Sequence, residues 1–353
     1  MSVSSRLKAG IKPLFPAYFA LVMATGIVST GANLFHLSLV SSVLFWINNV
    51  EYGLLFILFG IRFFGFFPAL RADLASHEKG AGFFTVVAGS CILGTQYALV
   101  KHTYLPATLL WLFALAVWLL LLYSFLTLVI TQTEKPPVEK GISGVWLLLV
   151  VATQSLVILG ATLAPHLTVW TEAFLFFALS AYFLGLVFYL ILITLIVYRL
   201  AFLPLDAESF KPPYWIMMGA AAISTLSGVT VIQNLDTTGL FQAFKPVLTG
   251  MSLLTWATST GWIPLLVVLS IWRYTVKKVK LTYHPQYWAF VFCVGMYSVC
   301  TWHLADYIAT PYLKRIAGLF LYVSLAAWLL TFLSMCIGIV QSLTSSLKNN
   351  DSL

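Results

Sequence analysis

The sequence contains very little charge. Only 8% of its 353 residues are Asp, Glu, Lys or Arg, whereas about a quarter of a soluble domain is charged. This scarcity excludes an ordinary water-soluble fold, and a hydrophobic content of 61% with a mean hydropathy of +0.96 places the chain among membrane proteins. Because the apolar runs are continuous over about 20 residues and do not alternate, they predict membrane-spanning helices and not a β-barrel.

Cysteine and catalytic motifs are scarce as well. The four cysteines fall in apolar runs without C-x-x-C or His-paired spacing, which is typical of small buried hydrophobes. No HExxH, nucleophile elbow, Walker loop or dinucleotide fingerprint is present. We therefore expect no metal, no cofactor and no enzymatic activity, with a membrane-embedded enzyme as a remote alternative. Without a soluble domain or a basic arm, a nucleic-acid partner is not expected.

Apolar runs between polar segments predict ten spans in one transmembrane domain of residues 15–342, between cytoplasmic tails 1–14 and 343–353. The first run follows basic residues, as in a signal peptide, but it is too long for one, and we expect an uncleaved helix. Gly261 and Pro264 favour a kink in the eighth span. The predicted spans are 15–36, 40–63, 80–100, 105–131, 142–163, 170–200, 212–233, 245–272, 285–304 and 312–342.

Basic residues are distributed unequally between the two sides of these spans. One side, which includes both termini, holds 15 of the 19 Lys and Arg residues; the other holds Lys101, Lys245, Lys314 and Arg315. The positive-inside rule therefore predicts a multi-pass protein of the inner (plasma) membrane with both termini in the cytoplasm. The net charge of +8 follows from the same loops. It reflects topology alone or, as the alternative, an electropositive vestibule that concentrates anions.

The odd-numbered spans begin alike. The first reads FPAYFALVMATGIVS, the seventh KPPYWIMMGAAAIS and the ninth HPQYWAFVFCVGMYS, and the third and fifth fit more loosely. The matching aromatic residues recur at intervals of one helical hairpin, at Phe19, Phe84, Trp146, Trp215 and Trp288. A repeat of this kind predicts an all-α membrane fold of five tandem hairpins in a quasi-five-fold arrangement, with odd helices inside and even helices outside.

The two sets of helices also differ in polarity. Small, hydroxyl and amide residues concentrate on the odd helices, whereas the even helices are rich in Leu, Phe and Trp. Close helix packing explains much of the Gly and Ala content, and a water-accessible lumen between the odd helices would explain the hydroxyls and amides as well. No Lys, Arg, Asp or Glu lies in the body of an odd helix. Such a lumen suits anions that are held weakly enough to leave.

The chain resembles the tellurite-resistance/dicarboxylate transporter family, which includes TehA-like proteins, the plant guard-cell slow anion channel and fungal malate and sulfite permeases. The resemblance covers nearly the whole chain and is most specific in FPAYFALVMATGIVS, GAGFFTVVAGSCILG and YWAFVFCVG. It implies a homotrimer in the lipid bilayer, with a central anion pathway in each protomer. It also implies a gating phenylalanine on the ninth helix within a W-A-x-x-F pattern, which here carries over to Phe292. Several relatives have proline after that phenylalanine, whereas this chain has Cys293.

The repeat allows a prediction of the residues that line the lumen. Alignment places Met23, Ala88, Val150 and Gly219 at the level of Phe292. The phenyl ring of Phe292 would therefore be the one large aromatic group among four smaller residues at this level. The alternative is that Phe292 only packs between helices. One turn away, the same faces are predicted to present Gly26, Cys91, Thr153, Ala222 and Gly295.

Three titratable residues are candidates for proton coupling. Glu51 lies deep in the second span, and His303 and Asp306 lie three residues apart near the outer end of the ninth. Structural hydrogen bonding is the alternative for all three. The sequence thus supports two functions: a channel-like conduit for small inorganic anions gated by Phe292, or a proton-coupled carrier of C4-dicarboxylates such as malate. The lack of a fixed cation on the inner helices tilts the choice slightly toward the conduit.

Overall fold

The computed structural model describes residues 10–167 and 169–348; the predictions for residues 1–9 and 349–353 lie outside this range. Ten helices are long and apolar enough to cross a membrane. Eight spans have both boundaries within four residues of the sequence prediction, whereas the helix of the seventh span continues to Thr238 and that of the tenth to Lys348. In chain order they are α1 Pro16–Leu34, α2 Ser38–Gly65, α3 Gly80–Leu99, α4 Tyr104–Thr131, α5 Gly144–His166, α6 Thr171–Phe202, α7 Pro212–Asp236, α8 Gln242–Val276, α9 Tyr287–Tyr307 and α10 Pro311–Gln341.

The repeated sequence motif corresponds to a repeated local structure. Each of α1, α3, α5 and α7 opens with a four-residue 3₁₀ turn before the α-helix proper: Pro16–Phe19, Gly80–Phe83, Gly144–Leu147 and Pro212–Trp215. Proline suits the first turn because its missing N–H would have no partner there. In the eighth span, the helix continues through Pro264 and changes to a π turn only at Trp272–Val276.

Burial separates the ten helices into the two predicted sets. In the most apolar window of each odd helix, 78–94% of residues are buried, against 17–44% in the even helices. Large apolar side chains on the even helices, such as Phe64 and Leu190, are exposed, as they would be toward lipid. The odd helices therefore form the protein interior.

The five odd helices close into a ring. Helix α1 contacts α3, α3 contacts α5, α5 contacts α7, α7 contacts α9, and α9 contacts α1. Each even helix packs against the odd helix before it and also contacts the next odd helix, with α10 completing the circuit on α1. This order of contacts is that of five sequential hairpins around one axis.

Hydrogen bonds between the two layers use many of the polar residues of the odd helices. Indole N–H groups of outer helices donate to inner threonine hydroxyls, over 2.9 Å from Trp328 to Thr25 and over 3.0 Å from Trp118 to Thr153. The amide of Asn48 on α2 donates to Gln96 on α3 over 2.6 Å. These bonds satisfy polar groups inside the membrane. They correct the expectation that the inner hydroxyls and amides gather mainly to face water.

Arginines at the ends of even helices hold the loops on the basic side. Arg62 of α2 is fully buried, forms an ion pair with Asp73 and donates to the backbone of the N-terminal segment. Arg199 of α6 bonds the carbonyl of Glu139 and the hydroxyl of Tyr214. Part of the positive charge on this side is therefore structural.

Candidate functional site: a closed axial pathway

A cavity of about 320 Å³ opens at the C-terminal ends of the odd helices, on the side with few basic residues. All five odd helices contribute to its wall. Its polar lining residues include Thr30, Thr95, Ser155, Thr230 and His303. We call it the outer cavity.

A second cavity of about 360 Å³ lies at the opposite ends of these helices, and four of its lining residues are Lys or Arg. We call it the basic vestibule. Its lining includes Glu78 as the one acidic residue, at 3.2 Å from Lys211. The vestibule thus carries net positive charge, from the side chains of Lys79, Lys211, Arg273 and Lys280, with His284 as a further titratable group. Such a mouth raises the local concentration of anions.

Between these two spaces the axis is nearly closed. A narrow cavity of about 20 Å³ shares Phe15 and Gln286 with the basic vestibule and ends at Met23 and Phe292. It has no lining residue in common with the outer cavity. Met23 and Phe292 are each only 1% exposed. They therefore lie where the path from the basic side stops.

The lining residues define which face of each inner helix points to the axis. On α9 they recur every three or four residues, at Ala289, Phe292, Met296, Val299 and His303. This spacing follows one stripe of an α-helix. On α1, Met23 lines the narrow cavity and Ile27, one turn on, lines the outer cavity. The closed stretch is thus about one helical turn thick and apolar.

Several residues predicted to line the lumen lie instead at helix contacts. A Cβ on Gly26 would meet Ile92 and Asn48, and one on Gly295 would meet Ile27 of α1 at 2.9 Å. One on Gly219 would meet the sulfur of Cys293 at 2.2 Å. These glycines face neighbouring helices because close packing needs small residues there. The axial positions are one residue further on in α1 and α9, at Ile27 and Met296.

The remaining predicted lining residues divide as follows. Cys91 lines the outer cavity and Met23 the narrow one. Thr153 points away from the axis, because its hydroxyl accepts the indole N–H of Trp118, which corrects its predicted orientation. Three others are fully buried and line neither the outer cavity, the narrow cavity nor the basic vestibule: Ala88, Val150 and Ala222.

The residue after Phe292 shapes the contact between α7 and α9. Cys293 is fully buried and directs its sulfur at Gly219, while α9 runs as one helix from Tyr287 to Tyr307. With cysteine at this position the backbone N–H stays available to the helix, which a proline would remove. Phe292 is therefore presented from a regular helix.

The candidate coupling residues lie in two places, Glu51 on α2 and the other two on α9. Glu51 is buried on α2, where neither carboxyl oxygen makes a standard hydrogen bond and the hydroxyl of Thr25 lies nearby. His303 lines the outer cavity. Asp306 is exposed, and its carboxylate forms an ion pair with Lys314 at a distance of 2.7 Å. Within the described part of the chain, no cluster of His, Cys, Asp and Glu has the arrangement of a metal site.

His284 gives the basic vestibule a pH-sensitive group. Burial first, and Lys211 second, lower the pKa of His284 below its ordinary value of 6.5. Its Nδ1 accepts the backbone N–H of Gln286 over 3.2 Å, just before α9 begins. A doubly protonated imidazole can no longer accept that bond. Since the folded state favours the neutral form, His284 gains its charge only when the pH falls below this lowered pKa; the charge is then added to the vestibule and the contact with Gln286 weakens.

We expect anion flux to rise about twofold or more when the pH on the vestibule side falls from about 7.5 to about 4.5, a range that extends well below the ordinary histidine pKa of 6.5. The increase is expected because protonated His284 adds positive charge where anions enter. His284→Gln should flatten the pH profile, whereas His77→Gln, on the same side but outside the vestibule, should preserve it. An unchanged profile in His284→Gln would assign the pH response to another group.

Sequence reasoning raised an electropositive vestibule as an alternative but did not identify the residues that form it. Its Lys and Arg residues were counted by side of the membrane, which indicates topology but not proximity. A usable signal was present: Lys79, Lys211 and His284 all stand just before the start of an odd helix. Because the odd helices form a ring, residues at these positions converge on the axis.

A closed ring of membrane helices with aligned cavities on its axis defines a membrane transport protein of the channel or carrier class. The chain belongs to the voltage-dependent anion channel family, whose sequence model matches residues 14–336. Two uncharacterized transporters of Methanocaldococcus jannaschii are 26% and 25% identical to it, over 91% and 92% of this chain and 90% and 93% of theirs. An uncharacterized membrane protein of Mycobacterium tuberculosis is 35% identical over 142 residues, which is 40% of this chain and 72% of the relative. The family is one of anion channels and transporters, not of enzymes.

Proposed function

We propose that the protein passes small inorganic anions along the axis of the inner ring, and that Phe292 closes this path at rest. One observation carries the proposal. The basic vestibule and the outer cavity lie on the same axis and are separated by about one apolar turn, at which Phe292 ends the path from the vestibule.

The chemistry of the path fits weakly held anions. Lysine and arginine side chains at the vestibule attract anions to its mouth. Beyond them, the path is lined by apolar, hydroxyl, amide and imidazole side chains and by no Lys, Arg, Asp or Glu, so that an anion is not trapped. An apolar constriction excludes water and ions until the side chains that form it move aside. Displacement of Phe292 would therefore join the two cavities.

A proton-coupled carrier of C4-dicarboxylates is the second candidate, favoured by one observation. Glu51 is a buried acid without a standard hydrogen bond, and such groups in membranes often transfer protons. However, Glu51 lies on an outer helix and lines no cavity of the axis. This position favours the conduit.

Flux into proteoliposomes distinguishes the two candidates. Chloride, nitrate and malate would each be supplied with and without a pH gradient. A conduit is expected to pass chloride and nitrate down their gradients whether or not a pH gradient is present. Malate uptake that strictly requires the pH gradient would establish the carrier instead.

Glu51→Gln tests the same choice at one residue. The amide preserves the shape of the side chain and removes its ability to take up a proton. We expect chloride flux within about twofold of the unsubstituted protein, because Glu51 does not face the path. Loss of uptake, with the protein still folded by size-exclusion chromatography, would contradict the conduit and support coupling.

We further propose that residues 15–342 act as one transmembrane domain in a homotrimer of the inner membrane, with both termini cytoplasmic. The excess of basic residues on one side supports the orientation. The trimer follows from the family resemblance, and mass photometry in lipid nanodiscs would test it.

A further inference from the structure

A large groove opens between the outer helices α2 and α4. Its volume is about 950 Å³, near the upper end of the range of ~300–1,000 Å³ for small-molecule pockets. The α2 side is a run of aromatic residues that includes Phe56, Phe59, Phe63 and Phe64, and half of the α4 residues in the lining are leucine or valine. We call it the α2–α4 groove.

The floor of the groove is formed by the inner ring. Phe19 of α1 and Phe83 of α3 line it, although they are only 1% and 4% exposed. The recess therefore reaches between two outer helices to the layer behind them. An α-helix is about 10 Å wide with its side chains. An acyl chain is thinner and flexible, and so is better suited to a recess between two neighbouring helices.

One end of the groove carries a positive charge. Arg71, on the short helix Phe67–Leu74, lines it at the side of the basic loops. The nearby carboxylate of Asp73 is already bound by Arg62 and by Lys79. Arg71 is exposed and forms no ion pair within residues 10–167 and 169–348. Its guanidinium is thus available to an anionic group at the membrane surface.

We propose that the α2–α4 groove binds an anionic phospholipid, with its acyl chains between α2 and α4 and its phosphate on Arg71. The apolar lining of the groove matches the acyl chains of such a lipid, and the cation at one end of the groove matches its phosphate. Basic pockets between membrane helices on the cytoplasmic side bind anionic head groups in the same way. Because Phe19 and Phe83 belong to α1 and α3, the bound lipid would contact the inner ring directly. This site is independent of how the axial path is gated.

Two substitutions on α2 provide a matched test. A Cβ added to Gly60 meets no atom within 4 Å, and Gly60 lines the groove. Gly60→Leu therefore places a side chain in the groove without a clash inside the protein. Gly53 on the same helix also has open space, but it lies outside the groove. Gly53→Leu is the control.

Native mass spectrometry of purified protein with added phosphatidylglycerol or phosphatidylcholine would count the bound lipids. We expect retained phosphatidylglycerol to be lost in Gly60→Leu and to fall about fivefold in Arg71→Gln, with no change in Gly53→Leu or Lys140→Gln. The unsubstituted protein should prefer phosphatidylglycerol over phosphatidylcholine. Equal retention of both lipids, or unchanged retention in Gly60→Leu, would overturn the proposal. A change of oligomeric state in Gly60→Leu would also overturn it, because a second copy would then occupy the groove.

Discussion

Phe292→Ala is expected to raise chloride flux through proteoliposomes at least about tenfold, which corresponds to removing ~1.4 kcal/mol from the barrier. The narrow cavity ends at the phenyl ring of Phe292. Removal of this side chain leaves an open space beside Met23. Water and anions from the vestibule can then reach the level of Met296, which already lines the outer cavity. Phe292→Leu, which retains most of the apolar volume, should give a smaller increase.

The matched control for this substitution is Phe290→Ala. Phe290 lies two residues earlier on α9 but packs against Trp215, with ring centroids 4.7 Å apart, and lines none of the axial cavities. Its truncation should leave flux near the unsubstituted value. Equal flux changes in the two variants would mean that loosening of α9, not removal of a plug, opens the path. Unchanged flux in Phe292→Ala would remove Phe292 from the gate.

Gly144→Ala is expected to destabilise the folded protein by about 3 kcal/mol. Gly144 stands at the start of α5 against the start of α7. A Cβ there would lie 2.1 Å from the carbonyl oxygen of Pro213 and 2.9 Å from the Cα of Tyr214. These are backbone atoms, so no side-chain rotation can relieve the overlap. The inner ring would have to open between α5 and α7.

Thermal unfolding followed by size-exclusion chromatography in detergent would measure this effect. Gly53→Ala is the matched control, since a Cβ at Gly53 meets nothing within 4 Å and alanine favours a helix over glycine. The control is expected to be as stable as the unsubstituted protein or slightly more so. If Gly144→Ala unfolds at the same temperature, the two helix starts do not pack as closely as described.

Sequence reasoning predicted the ten spans and their two classes because both depend on local information. Continuous apolar runs determine span length. The repeat beginning at Pro16 and at Pro212 predicts which helices share a role, and the 3₁₀ turns at those starts are the local structure behind it. Low burial of the even helices follows from their uniform apolar surface.

The direction in which an individual side chain points, toward the axis or toward a neighbouring helix, was harder to predict. Gly26 and Gly295 align well in the repeat, yet both face neighbouring helices, and Ile27 and Met296 face the axis. One residue rotates a helix position by about 100°, so an alignment that is right in level can be wrong in direction. For Thr153, the deciding partner is Trp118 on another helix, and no local pattern identifies it.

Long-range pairings were likewise hidden from the sequence. The bond from Trp328 to Thr25 joins the last span to the first, and the vestibule brings together Lys79 and Lys211 from two loops and Arg273 from the end of α8. Such groupings require the ring closure of α9 on α1. The position of Phe292 followed from the W-A-x-x-F pattern, and its place at the closed point of the axis is consistent with that prediction.

The reversal potential of the Phe292→Ala variant tests anion passage along this axis most directly. The variant would be placed in a planar bilayer with a gradient of potassium chloride and no pH gradient. If the basic vestibule selects anions and the inner ring conducts them, the current reverses near the equilibrium potential of chloride, and Lys211→Glu shifts that value toward zero. A reversal near the potassium potential, or no current at all, would contradict an anion path through the ring.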